Sequence, residues 1–334
     1  MRGGAAVPRG GSASVTDGFV DKRKTVSVVV PCFNEVGNVR PMAEALCEQM
    51  GALERYDYEV IFIDNCSVDG TREELRRICD TMPKVKAILN ARNFGQFNSP
   101  YYGLCQATGD CAIAISCDFQ DPVELIPEML AAWEGGSKIV CPVKTESDES
   151  GVVYFARSCY YKLIRKLSSV EQIEHFTGFG LYDRSFLEVM RGLSDPTPFL
   201  RGIVAELGPA NRAEIPYHQH KRKTGKSHNN FWILYDAAML SFASYTKAPV
   251  RAATTVGFVV AATSFVFAIV CLVFKIAHWE AFSTGVVPVL LAVLFFSGVQ
   301  LFFLGLLGEY VLSIAQRSMN RPLVIEEERL GTWA

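Results

Sequence analysis

The stretch 58-YEVIFIDNCSVDGT-71 decides the fold. Its first seven residues are almost entirely β-branched, aromatic or aliphatic and then break into polar turn chemistry, the pattern of a strand buried on both faces. Working outward, Thr25 to Pro31 (TVSVVVP) and Ala112 to Cys117 (AIAISC) repeat it. Helical patterns over Pro41 to Met50, Thr71 to Thr81 and Pro100 to Thr108 lie between these runs. This alternation predicts an open, mostly parallel α/β sheet with helices on both faces. Thr71 followed by Glu74 has the spacing of a capping box for the second helix.

Ligands of such sheets bind outside the carboxyl ends of the strands, so the segments that follow the strands are the ones to read for chemistry. They are PCFNE from Pro31, DNCSVDGT from Asp64 and DFQDP from Asp118. No G-x-G-x-x-G follows the first strand, which argues against a dinucleotide-binding oxidoreductase.

Composition narrows the class further. The chain has 334 residues, 49% hydrophobic and 20% charged, which excludes a disordered protein. A formal net charge of -2 offers no general attraction to nucleic acid, so none is expected as a partner. Ten cysteines without a C-x-x-C pair read as reduced thiols in a reducing compartment. Residues 1–24 contain no apolar core and read as a flexible leader, with the α/β domain expected over 25–228.

Beyond Gly151 the pattern loosens. Arg157 to Leu167 and Asn230 to Tyr245 read as amphipathic helices, the second within a juxtamembrane segment 229–251. Ala252 to Phe274 and Val286 to Gly308 are each about 23 uncharged residues, the length needed to cross a bilayer. A two-helix transmembrane hairpin over 252–311 is therefore expected, surrounded by membrane lipids. Lys247, Arg251, Arg317 and Arg321 flank the spans, so the positive-inside rule predicts a multi-pass inner-membrane protein with the catalytic domain, both termini and the tail 312–334 in the cytosol.

Several side chains carry candidate chemistry, each with a plainer reading beside it. Asp118 and Gln120 follow a buried strand and offer the oxygen ligands that Mg²⁺ or Mn²⁺ prefer. Asp121, with Pro122 and Glu124 behind it, reads instead as a helix N-cap. Asp64 beside Asn65, Ser67 and Asp69 makes a polar pocket suited to a nucleobase or ribose, while Asp69-Gly70 taken alone reads as a turn. Asn34 and Glu35 divide evenly between helix start and nucleotide contact. Lys221, Arg222, Lys223 and Lys226 form the densest positive cluster. A solvated or headgroup-facing surface is the bland account; Gly225 and Ser227 within it favour a diphosphate-gripping loop. His218 and His220 lack a third neighbour and are not read as a metal pair.

Taken in order, PCFNE at Pro31, DNCSVDGT at Asp64, RNFG at Arg92, ATGD at Ala107, DFQDP at Asp118, PFLRG at Pro198 and RKTGKS at Arg222 resemble the polyprenyl-phosphate glycosyltransferases of glycosyltransferase family 2. The resemblance covers nearly everything from Thr25 onward. It implies a GT-A fold, a nucleotide-sugar donor linked to UDP or GDP, a divalent metal, and inverting transfer to a polyprenyl phosphate. By position it implies that Pro31, Asn34, Glu35 and Asp64 contact the nucleoside, with Asn65, Arg92 and Ser116 lining the same donor site. Asp118 and Gln120 would hold Mg²⁺ or Mn²⁺, Arg222, Gly225 and Ser227 would grip the donor diphosphate, and Arg157 would meet the acceptor phosphate. An acceptor phosphate is already anionic at neutral pH, so no catalytic base is nominated.

Two departures stand out. Ser116 replaces the first Asp of the family's Asp-x-Asp pair, and Asn65 replaces the second Asp after the second strand. His175 to Arg184 (HFTGFGLYDR) also lacks the family's usual charged residues. A family 2 enzyme with another lipid or polysaccharide acceptor, and a silent nucleotide-sugar-binding scaffold, are the alternatives; the absence of Q-x-x-R-W argues against a processive synthase. Gly298, Gly305 and Gly308 would permit close helix contact in a homo-oligomer.

Overall fold

In a computed structural model the described residues are 23–146, 173, 175–220, 255–259, 262–263, 266, 269–270, 273, 276–277, 286–319 and 321–333. The elements that position the site alternate as expected: β1 (Lys24–Cys32), α1 (Val39–Gly51), β2 (Tyr56–Asp64), α2 (Thr71–Thr81), β3 (Val85–Asn90), α3 (Gly95–Gln106) and β4 (Cys111–Ala114). There follow α4 (Ile126–Glu134), β5 (Ile139–Glu146), β6 (Gly180–Asp183), α5 (Arg184–Gly192), α6 (Leu200–Leu207), β7 (Arg212–His218), α7 (Val286–Ser318) and β8 (Glu326–Leu330).

One eight-stranded sheet runs in the order β7-β5-β6-β4-β1-β2-β3-β8. Strands β4, β1, β2 and β3 are mutually parallel, while β6 and β8 enter antiparallel. Strand alternation distributes the apolar side chains between two cores. Val26, Val28, Val30, Val60 and Phe62 pack with α1, α2 and α4; Val29, Ile61, Ile63 and Ile88 pack with α3, α5 and α6. The chain reverses its sheet order at β1, between β4 and β2, and the crevice at such a switch point is where an open α/β sheet takes its ligand.

Some local expectations are corrected. Helix α3 begins at Gly95 rather than Pro100, because Asn93 Oδ1 accepts the Gly95 N–H at 2.8 Å and starts the helix early. Thr71 does not close a capping box. Its hydroxyl donates to Asp69 Oδ1 at 2.5 Å and accepts the Glu35 N–H at 2.9 Å, so tertiary contacts outcompete the cap. Asp121 is no N-cap either: a 3₁₀ turn over Val123–Leu125 precedes α4, and the Asp121 carboxylate turns back toward the Ser116 N–H and the Tyr217 hydroxyl.

The multi-pass inner-membrane placement is overturned. Among the described residues no helix is long and apolar enough to cross a membrane. Helix α7 runs past the end expected at Gly308 and carries Glu309 and Arg317 within it. The expectation rested on uncharged length, which reports that side chains avoid water but not what covers them. The orientation assigned to the termini falls with it.

Candidate functional site

The loops after β1, β2 and β4 at the carboxyl edge of the sheet each carry one non-glycine residue at positive φ: Asn34 (φ 55°), Cys66 (φ 66°) and Phe119 (φ 58°). Left-handed backbone at such residues persists only where the surroundings impose it, and it gathers at binding sites. The imposing contacts are visible for the first two loops. The Asn34 N–H donates to Ser67 Oγ at 2.8 Å, and Asn34 Oδ1 accepts the Val68 N–H at 2.9 Å. The Val36 N–H reaches Asp69 Oδ2 at 3.1 Å. Glu35 is buried, and its carboxylate accepts from Asn38 Nδ2 at 2.6 Å. Pro31 lies half-buried at the end of β1, opposite Ile63.

Asp64 ends β2 with no exposed surface. Its carboxylate accepts the Ser67 N–H at 3.1 and 3.3 Å, and Arg72 Nε lies 3.2 Å from Oδ2. Burial pushes the Asp64 carboxyl up, against the pull of the Ser67 hydrogen bonds and the Arg72 charge. Asn65 faces the next loop. Its Oδ1 accepts the Phe94 N–H at 2.8 Å, and its Nδ2 donates to Asn93 Oδ1 at 2.9 Å and to the Gly95 carbonyl at 3.1 Å. Both amide ends are thereby committed to the 93–95 turn. Arg92 is exposed, its guanidinium 4.9 Å from the centre of the Phe94 ring.

Ser116, Asp118 and Gln120 are half-buried at the end of β4. Asp118 Oδ1 accepts the Gln120 N–H at 3.2 Å, and the Gln120 carbonyl accepts the His220 N–H at 3.0 Å. Among the described residues no three His, Cys, Asp or Glu side chains gather into a metal cage. One carboxylate and one amide oxygen nevertheless suit a hard ion of the Mg²⁺ type, which keeps waters and takes its other ligands from substrate phosphates. Asp121, almost completely buried, has its carboxyl raised first by burial and further by the Asp118 charge, against hydrogen bonds from Ser116 and Tyr217. A cleft of about 560 Å³ opens between α1 and Phe119–Glu124. Glu48, Asp121, Glu124 and His220 are among the residues that line it.

The fold therefore joins Asn34, Ser67 and Asp64 into one structured rim and sets Asp118 and Gln120 on the neighbouring strand end. Arg157, Arg222, Gly225 and Ser227 lie outside the described residues. Arg72 was missed by sequence reading. A cation in the first turn of a helix opposes the helix dipole, and that anomaly was the available signal of a carboxylate partner.

The glycosyl transferase family 2 model matches residues 27–191, which spans all three loops. The bactoprenol glucosyl transferase of Shigella phage SfX is 30% identical over 91% of this chain and 99% of its own length. The chain belongs to glycosyl transferase family 2. A prophage bactoprenol glucosyl transferase homolog of Escherichia coli K12 is 29% identical over 90% of this glycosyltransferase and 97% of the relative. Among solved structures, mannosyl-3-phosphoglycerate synthase from Rubrobacter xylanophilus shares 16% identity at a TM-score of 0.46, covering 70% of this chain and 75% of that one.

The described cysteines are free thiols, and burial pushes Cys32, beneath the crevice, well above the usual thiol range.

Proposed function

We propose that this glycosyltransferase moves a sugar, with inversion, from a UDP- or GDP-linked donor to a polyprenyl phosphate. The observation that carries the donor half is the Asn34 to Ser67 junction, which locks the loops after β1 and β2 into one rim over the switch point. The acceptor half is supported by the near full-length likeness to bactoprenol glucosyl transferases.

In this reading the rim of Pro31, Asn34, Glu35 and Ser67 receives the nucleoside. Asp64 shapes that rim from beneath, and Asn65 holds the turn that presents Arg92. Asp118 and Gln120 hold Mg²⁺ or Mn²⁺, which supplies charge neutralisation to the departing diphosphate. Arg222, Gly225 and Ser227 meet the diphosphate, and Arg157 meets the acceptor phosphate. The acceptor oxygen is anionic at neutral pH and attacks the anomeric carbon while the nucleoside diphosphate leaves. Positioning replaces a strong general base.

The test is transfer of radiolabelled sugar from a panel of UDP and GDP donors into extractable polyprenyl phosphate, with and without Mn²⁺. Metal-dependent label that is lost in Asp118→Ala is expected. Nucleotide binding without transfer from any donor would overturn the reading.

A further inference from the structure

Strand β8 lies far along the chain from the donor rim, yet it reaches that rim through a single cation. Arg72 stands in the first turn of α2, only one-sixth exposed, with its Nε 3.2 Å from the buried Asp64 Oδ2. Its NH2 group donates to the Asn90 carbonyl at 3.0 Å and to Glu327 Oε2 on β8 at 2.9 Å. Asp64 in turn holds the Ser67 N–H, and Ser67 Oγ holds Asn34. A continuous chain of polar contacts therefore leads from Glu327, through Arg72 and Asp64, to both loops of the rim.

We infer that Glu327 is a positioning residue for donor binding, acting through Arg72 on Asp64; the inference rests on the donor site proposed above. Three physical points support it. Arg72 is a cation at a helix N-terminus, where the dipole opposes it, so its place depends on its carboxylate partners. Asp64 is a carboxylate inside the protein, and Arg72 is the basic group described against it, so the place of the Arg72 charge at 3.2 Å biases how that carboxylate sits toward the Ser67 N–H. Glu327, half-exposed on an edge strand, holds the outer end of the guanidinium, and β8 is seated by independent contacts. Tyr102 donates to Glu326 Oε1 at 2.8 Å, and the Ala91 N–H reaches the Ile325 carbonyl at 2.9 Å. Removing the Glu327 carboxylate thus leaves Arg72 held only by the Asn90 carbonyl and Asp64 among the contacts described, without detaching the strand.

The neighbouring residue supplies the control. Glu328 makes a similar half-exposed ion pair with Arg76 at 2.7 Å on the same strand and helix, and Arg76 does not reach Asp64. The experiment compares Glu327→Ala and Glu328→Ala in the full chain. Binding of UDP and of GDP is measured by calorimetry with Mg²⁺ present, donor KM and kcat in the transfer assay, and Ser67 amide exchange in the nucleotide-free protein. Glu327→Ala is expected to raise nucleotide Kd and donor KM roughly fivefold, the upper end for a half-exposed ion pair. Unchanged kcat, faster Ser67 exchange and a Tm equal to that of Glu328→Ala should accompany it, with Glu328→Ala binding as wild type does. Equal effects in the two variants, or no effect in Glu327→Ala, would overturn the inference. Wild type that binds neither nucleotide would instead sink the donor reading, while Ser67 exchange would still decide whether Glu327 acts on this loop.

Discussion

Asn34 and Ser67 are joined across 2.8 Å by a backbone N–H and a side-chain hydroxyl, so the loops after two neighbouring strands are tied to each other. Asn34 does this at φ 55°, a conformation that Asn tolerates far better than most residues. Two substitutions separate backbone from side chain. Asn34→Gly keeps the φ but loses the hydrogen bond to the Val68 N–H, whereas Asn34→Ala loses both. Donor KM is expected to rise about tenfold in Asn34→Ala and less in Asn34→Gly, with Asn34→Ala also about 1 to 2 kcal/mol less stable in urea.

Asn65 Nδ2 donates to Asn93 Oδ1 and to the Gly95 carbonyl. Asn65→Asp places a carboxylate against two oxygen acceptors in a buried position. A loss of about 2 to 3 kcal/mol in unfolding free energy is expected, with faster exchange of the Phe94 and Gly95 amides. A gain of activity in this variant would show that the Asn93 turn does not compensate for the exchanged residue.

Asp118 is half-buried, and its Oδ1 accepts the Gln120 N–H at 3.2 Å, a bond that the isosteric Asn can keep, so Asp118→Asn separates chemistry from folding. Asp118→Asn is expected to lower transfer by about a hundredfold or more, as loss of a major electrostatic stabiliser does, while shifting Tm by no more than a surface substitution. Chelation of divalent ions should abolish transfer in the wild type, and Mg²⁺ or Mn²⁺ should restore it.

Glu59 lies at the opposite, amino edge of the sheet, buried against Lys86 Nζ at 2.6 Å, Ser27 Oγ at 2.5 Å and Thr108 Oγ1 at 2.7 Å. Burial pushes its carboxyl up, but the hydrogen bonds from Lys86, Ser27 and Thr108 together hold it below its ordinary 4.5. A depressed folded value contributes stability that is complete above the unfolded value and disappears as pH falls through the folded one. The wild-type urea midpoint should therefore fall as pH drops below about 4.5, and more steeply than in Glu59→Gln. At pH 7 the variant is expected to be about 3 kcal/mol less stable because it strands Lys86, with donor KM unchanged at permissive temperature.

Much of the site was legible without coordinates. A buried strand announces itself by a continuous apolar run, and the polar residues that follow must lie at its carboxyl end, so PCFNE, DNCS and DFQD were placed correctly by local pattern alone. Helix boundaries were less legible where a side chain intervened, as with Asn93 at the start of α3 and the diversion of Thr71 from capping to Glu35 and Asp69.

By itself, then, the sequence determined the parallel core of the sheet, the polar segments at its carboxyl strand ends, and the family, because each rests on patterns within a few consecutive residues or on their order. Only the tertiary structure decided that an acidic tail segment is an edge strand, that Glu327 meets Arg72 across 255 residues of chain, and that Asn65 serves a neighbouring turn. It likewise overturned the multi-pass inner-membrane placement, since among the described residues no helix is long and apolar enough to cross a membrane. Contacts between distant segments depend on shape and charge that meet only after folding, and they leave no periodicity in the chain to read.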